Sequence, residues 1–323
     1  MGKIYVTSNI PKAGLTLLET NFDIEFHYPL EKQISEEELI EAAKSYDGII
    51  TLLSDPVTEK VAAAGNTGNL KIIANYGAGY DNIDVKACKD NNIRVTNTPG
   101  VLHHTTADLT FALLLGIARR LNESEDFLRA GKFNGWKPDL LLGEDIHHKT
   151  LGIIGMGEIG QEVAKRAQGF HINTLYHKRT PLSTEKEQEL NITYADFDDL
   201  IKESDFISLH VPYTEQTHHL ISEREFDLMK DGAYLINTAR GPVVDEAALV
   251  KALEGQKIQG AALDVFEEEP KVHPGLLDRK DCLIVPHIGS ATRKCREDMA
   301  ILACKNVKAV LAGKEPPTPV DVM

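Results

Sequence analysis

The sequence predicts an α/β protein made of two doubly wound parallel-sheet domains. Three observations lead there: the chain length, a steady alternation of short β-rich runs with helical patterns, and a restart of that alternation in mid-chain. At 323 residues the chain exceeds what one hydrophobic core usually supports, since domains run to roughly 100 to 200 residues. Two domains are therefore expected, with a ligand held between them. An apolar fraction of 42% and a charged fraction of 26% are ordinary for a globular chain. No apolar run is long enough to cross a bilayer, which excludes a membrane helix.

In the first hundred residues, β-rich runs at 4–7, 24–27, 48–52, 71–75 and 93–96 alternate with helical patterns at 36–45, 56–64 and 84–89. Strand and helix in turn, with strands apolar on both faces, is the pattern of a parallel sheet covered on both sides. The acidic run Glu36-Glu37-Glu38 follows Ser35 and precedes Leu39 and Ile40. It reads as the first turn of a helix capped by Ser35, where negative charge is favoured. After a long apolar helix at 104–119 the alternation begins again, with strands at 151–154, 173–176, 206–209, 233–237, 260–263 and 283–285. The last helix, 291–311, follows without a strand of its own. It is expected to return to the first unit. The first domain would then be discontinuous, residues 1–100 and 290–323, with the second at 101–289 and the two chain crossings acting as a hinge. No repeat of solenoid period is present.

Several function classes are excluded at this level. The opening Met1-Gly2-Lys3-Ile4-Tyr5-Val6-Thr7 reads as a strand and lacks the apolar segment and cleavage site of a signal peptide, and Val6 breaks the myristoylation pattern. A cytoplasmic protein is expected. Cys88, Cys282, Cys295 and Cys304 are dispersed, with no Cys-x-x-Cys pair, so neither a disulfide frame nor a metal site is expected, only buried or incidental thiols. A net charge of −14 repels a phosphate backbone, so no nucleic-acid partner is expected and any phosphate site must be local.

One such local site is visible. The apolar run 151–154 leads into Gly155-Met156-Gly157-Glu158-Ile159-Gly160 and then into a helix. In that setting Gly155 permits the tight turn, Gly157 lets backbone approach a pyrophosphate, and Gly160 lets helix and strand pack closely, with the helix N-terminus facing the anion. A dinucleotide is therefore the expected cofactor. The end of the next strand decides which one. An acid there would bind the ribose 2′-hydroxyl of NAD, and cations would accommodate a 2′-phosphate. The chain has His177-Lys178-Arg179-Thr180 and no acid, so NADP(H) is favoured over NAD(H), with Arg179 as the fork of donors and Lys178 as a point charge.

Three segments distant in sequence end strands of the second unit: Asn237-Thr238-Ala239-Arg240-Gly241, Asp264-Val265-Phe266-Glu267-Glu268-Glu269-Pro270 and Pro286-His287-Ile288-Gly289-Ser290. Strand ends of a parallel sheet line the ligand crevice. Arg240 can hold a carboxylate or carbonyl bidentately, and His287 can donate a proton to a carbonyl oxygen as hydride reaches its carbon. Glu269 would orient the imidazole and favour its charged form. Taken singly, each residue also reads as an ordinary cap, surface acid or histidine.

Together these motifs resemble the D-isomer-specific 2-hydroxyacid dehydrogenase family over nearly the whole chain. In order, they are Asn75-Tyr76-Gly77-Ala78-Gly79-Tyr80-Asp81-Asn82-Ile83-Asp84, the glycine turn, Leu209-His210-Val211-Pro212 with Thr217, and the three strand-end segments. The resemblance implies two Rossmann-like domains, a flavodoxin-like substrate-binding domain and a dinucleotide-binding domain. It implies Arg240 as substrate-binding residue, Glu269 as partner of the histidine and His287 as general acid/base. It further implies that backbone N–H groups around Ala78 and Gly79 receive the substrate carboxylate. Thr106, Val211, Pro212, Thr217, Thr238, Ala239, Asp264 and Gly289 are expected to line the cofactor. Within the family, Trp136-Lys137-Pro138 ahead of Gly143, with Arg179, is most similar to the glyoxylate/hydroxypyruvate and 2-ketogluconate reductases. A phosphoglycerate dehydrogenase with an added regulatory domain is disfavoured, because the chain has no room for one. His103-His104-Thr105 departs from the family pattern but leaves Thr106 in register.

The expected partner is thus a small 2-oxo/2-hydroxy acid, and the apolar helix from His104 with the segment around Trp136 suggests a homodimer. Two other readings stay open: an NADH-linked D-lactate-type dehydrogenase, and a dinucleotide-sensing protein of the same fold.

Overall fold

The computed structural model describes residues 2–27 and 32–320. The chain divides into two compact units, one of Met1–Leu102 with Ser290–Met323 and the other of His103–Gly289.

In the first unit five parallel strands form one sheet: β1 (Gly2–Val6), β2 (Phe22–Phe26), β3 (Gly48–Thr51), β4 (Ile72–Asn75) and β5 (Arg94–Thr96), in the order β2-β1-β3-β4-β5. β3 and β4 are buried on both faces, so neighbours such as Ile49 and Ile50, or Ile72 and Ile73, are all inside. That is why these strands read as continuous apolar runs. Ile50 and Ile72 pack with Met299, Ala303 and Val307 of the helix Arg293–Leu311. Ile49 and Ile73 pack with Leu39, Ala43, Val61 and Ala62 of the helices Glu36–Ser45 and Glu59–Thr67. The helix Glu36–Ser45 starts where its sequence dictates. Ser35 Oγ accepts from Glu38 N at 3.2 Å and Ser35 N donates to Glu38 Oε2 at 2.8 Å, a reciprocal cap.

Seven parallel strands form the sheet of the second unit: β6 (Thr150–Ile154), β7 (Asn173–His177), β8 (Ile192–Tyr194), β9 (Phe206–Leu209), β10 (Ala233–Asn237), β11 (Ile258–Leu263) and β12 (Cys282–Ile284). Their order is β12-β11-β10-β9-β6-β7-β8. The order reverses at β6, whose neighbours are β7 and β9. A crevice opens at the carboxyl ends of strands at such a reversal, which is where ligands bind in open α/β sheets. Apolar cores cover both faces, with Phe111, Leu114 and Ile117 of the helix His103–Ala118 in one and Leu249 and Leu253 of the helix Glu246–Glu254 in the other.

Several boundaries differ from the sequence expectation. The third helix of the first unit starts at Glu59, three residues after Pro56, and β11 begins at Ile258. β8 was not expected at all; it is a three-residue edge strand with only Ile192 buried, too short to show a period. The helix Leu121–Arg129 buries no residue, and Leu121, Leu128, Trp136 and Leu142 are exposed. Among the described residues, all four cysteines are buried, no helix is long and apolar enough to cross a membrane, and no cluster of three metal-ligating side chains occurs.

Candidate active site

Beyond β10 the chain must turn within a very small space. A Cβ on Gly241 would stand 1.8 Å from the Phe266 carbonyl oxygen, so only glycine lets the segment after β10 lie against the segment after β11. Asn237, buried at the end of β10, ties that turn together: its Nδ2 donates to Arg240 O at 2.9 Å and its Oδ1 accepts from Ala239 N at 3.0 Å. Arg240 leaves the turn in extended conformation, with Nη1 donating to Ala239 O at 2.8 Å. The buried Thr238 hydroxyl meets Thr110 Oγ1 at 2.9 Å, and Thr110 in turn donates to Thr106 O.

Beyond β11, Asp264 is almost wholly buried. Its Oδ1 accepts from Ile288 N at 2.6 Å and its Oδ2 from Gly289 N at 2.8 Å, while its carbonyl accepts from His287 N at 2.8 Å. Burial pushes this carboxyl up from its ordinary range, against the two N–H groups and the nearby His287. One residue therefore grips three successive amides of the loop after β12. That grip offsets the cost of placing His287 at φ +50°, in the left-handed region that a non-glycine residue rarely occupies.

His287 and Glu269 meet here. His287 Nδ1 lies 2.9 Å from Glu269 Oε2, and Glu269 Oε1 accepts from Phe266 N at 3.0 Å. Burial, the largest influence on Glu269, pushes its carboxyl up. The His287 hydrogen bond and charge, the Phe266 N–H and the Arg240 guanidinium outweigh it, and the carboxyl lies below its usual range. An ionised carboxylate only accepts, so Nδ1 carries a proton and Nε2 is left on the far side of the ring. Both side chains are about one-third exposed.

At the sheet reversal, Gly155 has φ +97°, and a Cβ on it would stand 2.5 Å from the His210 carbonyl carbon. Gly160 is as constrained, since its Cβ would come 2.3 Å from Gly155 O. Gly157 is different. Its φ of −81° suits any residue and its Cβ would meet no protein atom within 4 Å. Nothing in the protein itself requires glycine there, which fits a turn shaped for a close-lying ligand. The helix Glu158–Gly169 starts at this point and presents its unpaired N–H groups to that space. The residues present therefore fit a dinucleotide pyrophosphate. At the end of β7, His177 Nδ1 donates to Ala195 O at 3.1 Å, Lys178 is half-buried and Arg179 is exposed.

In the first unit, Asn97 Nδ2 donates to Ala78 O at 2.7 Å, Asn75 Nδ2 to Gly79 O at 2.8 Å and Thr98 N to Gly77 O at 2.8 Å. In a planar trans peptide the N–H points opposite to the C=O. The N–H groups of Ala78, Gly79 and Tyr80 are thus turned away from these donors.

The model of the D-isomer specific 2-hydroxyacid dehydrogenase NAD-binding domain matches residues 111–289. A glyoxylate reductase of Thermococcus litoralis is 47% identical, with 99% of this chain and 96% of that protein covered. The chain belongs to the D-isomer specific 2-hydroxyacid dehydrogenase family. It is an NAD(P)-dependent oxidoreductase. Among solved structures, a Thermus thermophilus protein superposes with a TM-score of 0.91 at 42% identity, covering 99% of this chain and 100% of that one. An NADPH-dependent glyoxylate/hydroxypyruvate reductase of Sinorhizobium meliloti, solved with NADP and malonate, gives 0.86 at 32% identity, covering 99% of this chain and 96% of that one.

In this dehydrogenase the second unit brings Thr106, Asp264 and Gly289 together: a Cβ on Gly289 would lie 3.0 Å from Asp264 Oδ2 and 3.4 Å from Thr106 Cγ2. Other expected cofactor residues are placed differently. Met156 is buried in an apolar core, so only its backbone is available, and Ile159 packs against the same core. The Glu158 carboxylate faces largely outward, 3.8 Å from His103 Nδ1. The Thr217 hydroxyl donates to Pro212 O at 2.8 Å and accepts from Thr214 N at 2.8 Å, so it shapes its own loop. Val211 is half-buried and Pro212 exposed. Thr110 went unread in the sequence. It sits mid-helix among apolar residues, and nothing in its spacing shows that its hydroxyl bridges Thr106 and Thr238.

Proposed function

We propose that this dehydrogenase reduces a small 2-oxo acid of the glyoxylate, hydroxypyruvate or 2-ketogluconate class to the D-2-hydroxy acid, with NADPH favoured over NADH. The observation that carries this reading is the His287–Glu269 pair, 2.9 Å apart beside Arg240 at the strand ends of a nicotinamide-dependent oxidoreductase. When bound, the reduced nicotinamide supplies the hydride to the carbonyl carbon. The protein supplies the rest. Glu269 holds the imidazole ring through Nδ1, and His287 Nε2 gives its proton to the carbonyl oxygen as negative charge develops there. Arg240 holds the acid by charge-assisted hydrogen bonds, and the N–H groups at Ala78 and Gly79 receive the carboxylate. On this reading the first unit binds substrate and the second binds the dinucleotide through Gly155, Gly157 and Gly160.

The cofactor preference rests on residues 177–180, where His177-Lys178-Arg179-Thr180 offers cations and no carboxylate. The substrate class is supported by relatives such as the Thermococcus litoralis protein named as a glyoxylate reductase. A homodimer, the expected assembly, is supported by the exposed Leu121, Leu128, Phe133, Trp136 and Leu142.

Initial rates for glyoxylate, hydroxypyruvate, 2-ketogluconate and pyruvate, each with NADPH and NADH, test the reading. We expect one of the first three with NADPH to give the highest kcat/KM. Arg179→Ala should lower kcat/KM for NADPH by about 10- to 100-fold, the worth of one hydrogen bond to a charged group, and leave NADH unaffected. Pyruvate with NADH as the best pair would overturn it.

A further inference from the structure

Two residues before Glu269 in the chain, Glu267 forms a second histidine–carboxylate pair, which the proton transfer described above does not use. His219 Nε2 lies 2.6 Å from Glu267 Oε1, and both side chains are about two-thirds buried. Three loops meet at His219. It belongs to the loop after β9, which begins at His210 and carries Val211, Pro212 and Thr217. Its own N–H donates to Pro242 O at 2.8 Å, two residues beyond Arg240, and Ile221 N donates to Val243 O at 3.1 Å on the same segment. Its side chain grips Glu267, two residues before Glu269, in the loop after β11.

Glu267 is itself fixed at both ends. Its N–H donates to Glu246 Oε1 at 2.9 Å, and its Oε2 accepts from Glu246 N at 3.3 Å, locking it to the start of the helix Glu246–Glu254. The peptide joining Phe266 to Glu267 is the one whose carbonyl abuts Gly241, and the N–H of Phe266 holds Glu269 Oε1. His219 thus reaches the proton-transfer pair through an unbroken series of contacts. His219 stands at φ +48°, so the chain bears left-handed backbone strain here as it does at His287. The ring of His218 stacks on that of His219, with centroids 4.0 Å apart.

We propose that His219 is a positioning residue: through its Nε2–H bond to Glu267 it buckles the loops after β9, β10 and β11 together and so sets the angle at which Glu269 presents His287. This rests on the assignment of His287 and Glu269 given above. Glu267 as a carboxylate accepts only, so the Nε2 proton belongs to His219. The bond supplies alignment and not chemistry. Its loss is therefore read in turnover, and cofactor affinity should scarcely change.

The test uses the full-length enzyme. His219→Asn keeps a residue that tolerates positive φ but is too short to reach Glu267, whereas His219→Gln places an amide N–H close to the position of Nε2. With NADPH and glyoxylate we expect His219→Asn to lower kcat by about 10-fold, below the roughly 10²-fold that a 1 Å misplacement can cost. NADPH affinity, measured by fluorescence titration without substrate, should change by less than about 3-fold, and His219→Gln should recover most of the lost turnover. Unchanged kcat in His219→Asn would overturn the proposal. So would a folded His219→Gln as slow as His219→Asn, since the donor would then not matter. If His219→Asn does not fold, Glu267→Ala removes the acceptor from the other side, and wild-type kcat in that variant overturns the proposal equally. His287→Ala run alongside separates the two claims, because an active His287→Ala refutes the proton-donor assignment and the positioning role with it, whereas an inactive His287→Ala beside a fully active His219→Asn overturns the positioning role alone.

Discussion

Residues 155–160 and 285–289 both turn backbone at strand ends of the second unit, by opposite means. The first turn uses glycine: Gly155 takes φ +97° without a side chain to clash, and Gly160 lets the helix close on the strand. The second puts a histidine at φ +50° and holds it there with the buried carboxylate of Asp264, which takes the N–H groups of Ile288 and Gly289 while the Asp264 carbonyl takes that of His287. A turn whose work is done by backbone can dispense with side chains. A turn that must deliver an imidazole cannot, so the strain has to be met by a clamp from another strand.

The sharpest way to break this contrast is to remove the side chain for which the strain is borne. His287→Ala should lower kcat by about 10² to 10⁴, the range for a general acid, while NADPH titration gives an unchanged Kd. Turnover at the wild-type level would show that the strained loop serves something else.

Smaller effects separate the glycines. Gly160→Ala should cost about 1 to 3 kcal/mol of stability, seen as a lower Tm, because its Cβ meets a backbone oxygen that cannot move freely. Gly157→Ala meets no protein atom within 4 Å, so Tm should hold while the KM for NADPH rises. An unchanged KM in Gly157→Ala would mean that no ligand lies close to that residue.

The smallest effect is on pH dependence. Glu269 sits below its usual range in the folded protein, so its contribution to stability is complete above the unfolded value of about 4.3 and is lost as pH falls through the folded value. Asp264 is raised by burial and carries the opposite sign, its contribution being lost as pH rises through its folded value. The Tm difference between wild type and Glu269→Gln should therefore be steady near neutrality and narrow below about pH 4.3. A difference that persists undiminished into stronger acid would place the effect elsewhere than in the Glu269 charge.

Much of the fold is legible because burial on both faces leaves an unmistakable trace. Residues 206–209 and 233–237 read as strands from their apolar runs and are β9 and β10. The helix Glu36–Ser45 is marked by its own cap. What escapes is local structure without burial. β8 is three residues long with one buried, and the helix Leu121–Arg129 has no residue in a core. At the candidate site, Arg240, Glu269 and His287 are legible because they end successive strands. Thr110, the Asp264 clamp and the His219–Glu267 pair are not, since each joins residues more than 20 positions apart through a single side chain.

The amino-acid sequence by itself determined the α/β class, the strand-turn-helix at Gly155, Gly157 and Gly160, and the residue types able to move a proton. These follow from periodicity and from what glycine, arginine, glutamate and histidine can do anywhere. Only the tertiary structure decided which glycine is required by the protein and which fits a ligand, and what keeps His287 in a strained conformation. Such matters depend on the close approach of segments far apart in the chain, and that approach is set by the packing of whole strands and helices rather than by any local run of residues.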